Sequence, residues 1–370
     1  MKILICAGGT GGHVYPALAA ATALEKRGVT REDILWLGTK GSMEEELVPR
    51  EGYRLETLAG GAVVSSAPLH KRIGNLGKIM WSVGIAIKHI RQFKPDVMFM
   101  TGGYAAASTS LAAWLTRTPI GVYLPDVEPG TTIRSVTPLA TKIGATFQAS
   151  DAYLPAEKLV VTGYPVRDSV RDALKMSQAD ALAQFDLQPG RPTLFVFGGS
   201  RGAWNINAAL LKALPKLLER IQIIHVTGTL TWPKVEAQIA ELPSELSAYY
   251  RPFPYLHEKM GAGFRAADLA LARAGASMLG ESPAFSLPSI LVPLTFAWRY
   301  QKVNADFLTE HGAAIQTTDE DLADSFYDLV MPLITDSKRL AEMQAAAKAL
   351  DQPHASDNLA QMILALGEGK

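Results

Sequence analysis

One cysteine stands in 370 residues, Cys6. A disulfide framework is thereby excluded, and the usage fits a reducing compartment. Cys6 falls in the first apolar run, where a small buried hydrophobe is its expected role. Net charge is lacking too, since 36 Lys and Arg balance 36 Asp and Glu. That balance excludes a protein that grips nucleic acid by bulk electrostatics, and no nucleic-acid partner is expected. No run of about 18 apolar residues occurs, so no membrane-spanning helix is expected. Ile3 already opens an apolar strand with no basic segment before it, so no signal peptide is expected. No His, Asp or Cys cluster has metal-ligand spacing, and neither a metal nor a cofactor is expected. A further absence is local: no Asp or Glu stands between Glu56 and Asp96.

What is present is ample apolar material, 48% hydrophobic against 19% charged, enough for a sizeable core. At 370 residues two domains are expected. Ile3–Ala7 reads as a buried strand, Gly8-Gly9-Thr10-Gly11-Gly12-His13 as a tight turn, and Val14 onward as a helix with Pro16 in its first turn. Glycines let the backbone turn sharply and let another group come close. A helix start offers free N–H groups and a positive dipole end, which suits a phosphate. The turn is neither G-x-G-x-x-G nor a P-loop.

The pattern recurs. Ile34–Leu37 leads into Gly38-Thr39, and a helix over 42–47 places Ser42 at its cap and Glu44, Glu45 and Glu46 at its positive end. Val97–Met100 leads into Thr101-Gly102-Gly103-Tyr104 and a helix from Ala105. Two glycine turns in one parallel sheet meet at its carboxyl edge, where open α/β sheets bind ligands. Ile120–Tyr123 is a further strand, and the following 124–130 turn carries Asp126 and Glu128. Those acids fit either a solvated Pro-rich turn or a pair of carboxylates at the ligand edge. Residues 68–95 interleave Lys71, Arg72, Lys78, Lys88, Arg91 and Lys94 with Ile73, Leu76, Ile79, Met80, Trp81, Ile85 and Ile87. That mixture fits an ordinary amphipathic helix or a surface for an anionic bilayer.

A boundary is expected near Gly163–Arg167, after which the pattern restarts. Thr193–Phe197 is a strand, and Gly198-Gly199-Ser200-Arg201-Gly202-Ala203 is a third glycine turn that offers amides and the Ser200 hydroxyl to a phosphate. His225, inside the next strand, is expected to be structural. Leu269–Ala272 runs into a small-residue turn and a helix carrying Glu281, a carboxylate suited either to two ribose hydroxyls or simply to the helix dipole. Gln301 and Asn304 share a helix face, and amides match sugar hydroxyls. The class is α/β, with parallel sheets covered by helices.

The glycine turns, Gly38-Thr39 with Met43-Glu44 and Leu47-Val48-Pro49, Pro165-Val166-Arg167, Arg273-x-Gly275-Ala276 with Glu281, and Gln301-x-x-Asn304 follow the order and approximate spacing of one family. Across nearly its whole length the chain resembles the MurG family. These are peripheral bacterial enzymes that add GlcNAc from UDP-GlcNAc to undecaprenyl-pyrophosphoryl-MurNAc-pentapeptide, turning lipid I into lipid II. The resemblance implies a GT-B fold, two Rossmann-like domains facing across a cleft. Residues 1–164 would form the acceptor and membrane domain and 165–340 the nucleotide-sugar domain, with 341–370 a helix crossing back to the first.

It implies further that Arg167 and Ser200 hold the donor diphosphate and that backbone in the 256–260 segment reads the uracil, with Gly202, His257 and Ala276 as further substrate-binding residues. Glu281 would take the ribose and Gln301, beside Asn304, a GlcNAc hydroxyl. Thr10, Gly11, Gly12, Gly103 and Tyr104 would receive the undecaprenyl-diphosphate-linked acceptor at the inner leaflet, on the cytoplasmic face of the plasma membrane. UDP-sugar would be a co-substrate, with no cofactor. For the general base of an inverting transfer His13 is the first choice, its imidazole near the needed pKa, with Asp126 and Glu128 as rivals.

The chain departs from the family pattern where His-Glu-Gln-Asn is usual and Leu124-Pro125-Asp126-Val127 stands, and again at Tyr164, Ser286, Trp298 and Tyr300. Two other readings share the fold, a UDP-GlcNAc 2-epimerase, which needs no lipid acceptor, and a non-catalytic nucleotide-sugar binder.

Overall fold

The structure, a computed structural model, describes residues 1–9, 11–58, 69–103, 105–199, 201–240, 242–294 and 299–369, with side chains of 69–79 and 299 outside that description. The expected contacts at Thr10, Tyr104, Ser200 and Trp298 therefore lie outside the described residues, as do the side chains of Lys71, Arg72, Ile73, Leu76, Lys78 and Ile79.

The chain divides into two compact units, 1–167 with 353–370, and 168–352. The first contains β1 (Ile3–Ala7), β2 (Ile34–Thr39), β3 (Arg54–Leu58), β4 (Val97–Gly102), β5 (Ile120–Leu124), β6 (Lys142–Ala145) and β7 (Leu159–Val161). The second contains β8 (Thr193–Phe197), β9 (Gln222–Val226), β10 (Tyr250–Phe253), β11 (Leu269–Ala272), β12 (Ser289–Leu291) and β13 (Ala314–Gln316). Every pairing is parallel, in the orders β3-β2-β1-β4-β5-β6-β7 and β10-β9-β8-β11-β12-β13. Each order runs outward one way from its first strand and then reverses. The switch points are therefore β1/β4 and β8/β11, where a crevice opens at the carboxyl ends.

Alternation along β1 shows how the first sheet is covered. Ile3, Ile5 and Ala7 face the helices Gly11–Lys26 and Ala355–Glu368. Leu4 and Cys6 face the other layer, with Val83, Ala86 and Ile90 of helix Leu69–Phe93 and Ala106, Ala112 and Ala113 of helix Ala106–Leu115. Burial pushes the Cys6 thiol up to about 12, so it is an inert core side chain. The stretch 341–370 is not one crossing helix. Helix Ser337–Ala349 closes the second unit, and only Ala355–Glu368 belongs to the first. Small positions in the sheet admit that last helix: a Cβ on Gly121 would lie 3.1 Å from Leu366 and one on Gly144 3.2 Å from Leu359.

Pro16 does not occupy the first turn. The helix begins at Gly11, five residues earlier, because the glycines themselves take helical conformation. Gly11, Gly12 and His13 thus form the first turn, where amide groups lack intrahelical partners.

In the second unit, His225 is fully buried on β9, with Nδ1 2.7 Å from Tyr250 Oη and Nε2 3.0 Å from Asn207 Oδ1. Burial pulls its pKa from 6.5 to about 3, so it is neutral in the native state. An unfolded histidine takes a proton below 6.5 that the native one refuses. The associated stability is whole above pH 6.5 and is lost as pH falls toward 3. Denaturant unfolding at pH 7.5 and pH 5 checks this. We expect the wild type to lose stability at up to about 1.4 kcal/mol per pH unit in that window, and His225→Asn to lose less. Equal pH dependence in the two proteins would contradict it.

Candidate active site

At the β1/β4 switch point the two glycine turns meet backbone to backbone. Gly103 has φ +103°, and a Cβ on it would lie 2.7 Å from the Gly8 carbonyl oxygen. Gly9, at φ +89°, turns the chain toward the helix start. The His13 ring packs on the neighbouring glycine: a Cβ on Gly102 would sit 2.6 Å from His13 Nδ1. Thr101 Oγ1 donates to the His13 carbonyl at 2.7 Å. Among the described residues Nδ1 is buried without a hydrogen-bond partner, and burial lowers the imidazole pKa below 6.5. The ring is thus held neutral, the state in which it can take a proton.

The 124–130 turn is not a solvated one. Asp126 is 8% exposed and Glu128 6%. Its carbonyls are bound from within: Thr146 Oγ1 donates to Pro125 O at 2.8 Å, Ser150 Oγ to Val127 O at 2.9 Å and Arg134 Nε to Pro129 O at 2.8 Å. Arg134 Nη2 donates to Glu128 Oε1 at 2.6 Å, so Glu128 is committed to an ion pair. The Tyr123 hydroxyl donates to Gly163 O at 3.0 Å. Burial, with the Asp126 carboxylate adding to it, raises that phenol's pKa.

Arg167 closes the first unit. Its guanidinium lies over the Tyr15 ring, 3.8 Å from the centroid. Tyr15 also covers Gly11, where a Cβ would be 2.9 Å from the ring. This cation therefore stands beside the first glycine turn.

The third turn follows β8. Gly199 (φ +89°) and Gly202 (φ +85°) shape it, and it packs on the turn after β9. A Cβ on Gly228 would come within 2.1 Å of Gly202 N and Cα, and one on Gly202 within 2.3 Å of Thr227 O. Asn207 braces the contact, its Nδ2 donating to Thr227 O at 2.9 Å and Thr231 Oγ1 at 3.1 Å while its Oδ1 faces His225. Sequence reasoning passes over Asn207, although an amide among Ile206, Ala209 and Leu210 marks a buried polar position.

After β11, Arg273 is bound to Asp319 at 2.9 Å and to Val292 O, so it holds structure. Ala276 is buried, and Glu281, 8% exposed, sits in helix Met278–Ala284. Asn304, expected to face a sugar, is turned inward: it is fully buried and its Nδ2 donates to Ala274 O at 3.1 Å, so it braces the 273–277 turn. Gln301 is engaged through Oε1, which accepts from Leu294 N at 3.0 Å. His257 adopts φ +45°, unusual for a side-chain-bearing residue, in the turn after β10. Among the described residues no three His, Cys, Asp or Glu come together to hold a metal ion.

Two doubly wound units in one chain, sharing a strand order over six strands with a seventh added in the first, are the GT-B architecture. The glycosyltransferase family 28 N-terminal domain matches residues 3–144 and the family 28 C-terminal domain residues 193–359. A curated relative from Halothermothrix orenii is 34% identical, covering 98% of each chain, and one from Chlorobaculum tepidum is 35% identical, covering all of both. Both are named UDP-N-acetylglucosamine–N-acetylmuramyl-(pentapeptide) pyrophosphoryl-undecaprenol N-acetylglucosamine transferase. The crystal structure of Acinetobacter baumannii MurG superposes with a TM-score of 0.74 at 26% identity, covering 98% of this chain and 99% of that one. The chain belongs to the MurG family of glycosyltransferases. A UDP-GlcNAc 2-epimerase from Neisseria meningitidis shares the fold, with a TM-score of 0.65 at 15% identity.

The glycine contacts make a stability prediction. Gly190 and Gly228 both have φ near +89° and +85°, but Gly190 has open space around its Cβ direction while Gly228 meets backbone at 2.1 Å. Gly190→Ala should cost only the left-handed penalty, about 1–2 kcal/mol. Gly228→Ala should cost clearly more in denaturant unfolding, and equal losses would refute the close contact.

Proposed function

We propose that the protein transfers GlcNAc from UDP-GlcNAc to the MurNAc of an undecaprenyl-pyrophosphoryl-linked acceptor, converting lipid I to lipid II with inversion. The observation that carries this is the match, end to end, to relatives named for that transfer. The glycine turns at both switch points support it.

In this reading the acceptor hydroxyl gives its proton to a base, its oxygen attacks the anomeric carbon, and the bond to UDP breaks with the electron pair leaving on the diphosphate. His13 is the base, supported by its neutral ring at the first helix start. Asp126 is the alternative, buried in the turn after β5, where the family's usual acid is displaced. Glu128 ranks behind both because Arg134 holds it. Thr10, Gly11, Gly12, Gly103 and Tyr104 receive the acceptor diphosphate through amides, with Arg167 beside them. Ser200, Gly202 and Ala276 meet the donor diphosphate, Glu281 the ribose, backbone near His257 the uracil, and Gln301 the sugar. Preorganised amides and helix ends offset the charge developing on the leaving group.

The acceptor is a lipid, and helix Leu69–Phe93 suits a bilayer surface. Trp81 is 69% exposed and Met80 58%, and Trp81 shares a face with Lys88 and Arg91. Among the described residues no helix is long and apolar enough to cross a membrane, so the proposed association is peripheral, at the cytoplasmic leaflet.

Incubation with UDP-GlcNAc and lipid I, read by UDP release and product mass, is the test. Lipid II is expected. Epimerised sugar formed without acceptor, or UDP binding with no product, would replace this reading with one of the two alternatives. His13→Ala should lower turnover by about 10²–10⁴-fold, Asp126→Asn less and Glu128→Gln least. Near-wild-type rates in all three would place the base elsewhere.

A further inference from the structure

Glu44 is fully buried, although it opens the short helix Glu44–Arg50 at the end of β2. Its carboxylate is shared between two strands' ends. Oε1 accepts from Thr39 N at 2.8 Å, and Oε2 accepts from Gly9 N at 3.1 Å. A Cβ on Gly8 would fall 2.2 Å from Oε1, and one on Gly38 2.6 Å from Glu44 Cγ. Both glycines therefore make room for this one side chain. On its other flank Gly8 meets Gly103, where a Cβ would stand 2.7 Å from the Gly8 carbonyl. The backbone of Gly8 is thus clamped between a carboxylate and the second glycine turn.

A buried carboxylate is costly unless hydrogen-bonded, and here both oxygens serve backbone amides of neighbouring turns. Dipole stabilisation of its own helix would need no reach across to Gly9. We infer that Glu44 is a positioning residue for the acceptor side of the transfer. It fixes Gly8 and Gly9, and through them the angle at which the amides of Gly11 and Gly12 leave the sheet. The inference rests on the reading that the first turn receives the acceptor diphosphate.

Glu44→Gln tests it, because an amide NH₂ then confronts one of the two N–H donors. We expect kcat/KM for lipid I to fall about tenfold or more, while UDP affinity by calorimetry and KM for UDP-GlcNAc change by less than about twofold. A lowered melting temperature with unaltered acceptor kinetics would overturn the inference. So would equal damage to donor and acceptor constants.

A second test uses the contact with Gly8. Gly8→Ala should be severe in the native background and mild in Glu44→Ala, where the space is empty, and additive losses would overturn the clamp. His13→Ala separates the two levels. Should it depress acceptor kcat/KM while Glu44→Gln does not, the positioning role fails and the first turn keeps its assignment. If neither variant moves acceptor kinetics, the assignment of the first turn fails as well.

Discussion

Direct contact between backbones, with no side chain between them, is the constraint from which the rest of the molecule follows. In the first unit Gly103 lies on Gly8, and in the second Gly228 lies on Gly202. The first contact sits where strand order reverses, at β1/β4, and the second joins the turns after β8 and β9, beside the β8/β11 reversal. A methyl group on Gly103, Gly202 or Gly228 would push apart the two turns in contact, and one on Gly8 would strike the Glu44 carboxylate. Amides in such turns carry partial positive charge in fixed directions and need no rearrangement to meet a phosphate. The cores behind them, from Ile3 to Ile363 in one unit and Leu194 to Met343 in the other, provide the rigid support that keeps the turns in register.

How far the sequence reveals this depends on burial. The central strands β1, β4, β5, β8 and β11 are read directly because continuous apolar runs mark strands covered on both faces. The strands that escape such reading are β3, β6 and β13. β3 and β13 are sheet edges, and β3 exposes Arg54 and Thr57, so no apolar run appears. β6 is only Lys142–Ala145 and contains a glycine that admits a helix, so its identity comes from the partner that packs on it. Local propensity cannot report a neighbour 200 residues away.

At the site the same division holds. The glycine turns and His13 are visible as motifs because glycine at φ > 0 has few substitutes. What the sequence cannot show is which polar groups turn inward. Asn304 and Gln301 share a helix face, yet Asn304 turns inward to donate to Ala274 O, while Gln301 is engaged through its oxygen by Leu294 N. Asp126 and Glu128 look like surface acids, and they are buried because Ser150, Thr146 and Arg134, from three later segments, bind the turn that carries them. Spacing places residues on a face; the partners decide what they do there.

Charge economy ties these observations together. The 36 cations and 36 anions balance over the whole chain, so net charge alone supplies no long-range pull on a diphosphate. Arg273 is engaged by Asp319 and Arg134 by Glu128, and Arg167 rests on the face of Tyr15. In the proposed reading the diphosphates are recognised chiefly by short-range groups, the amides at helix starts. Their influence falls off within a turn of the helix, so that reading seats the ligand at the glycines themselves. On that reading the geometry of the turns matters more than any one surface cation, which fits Gly8 and Gly38 making room for the fully buried Glu44.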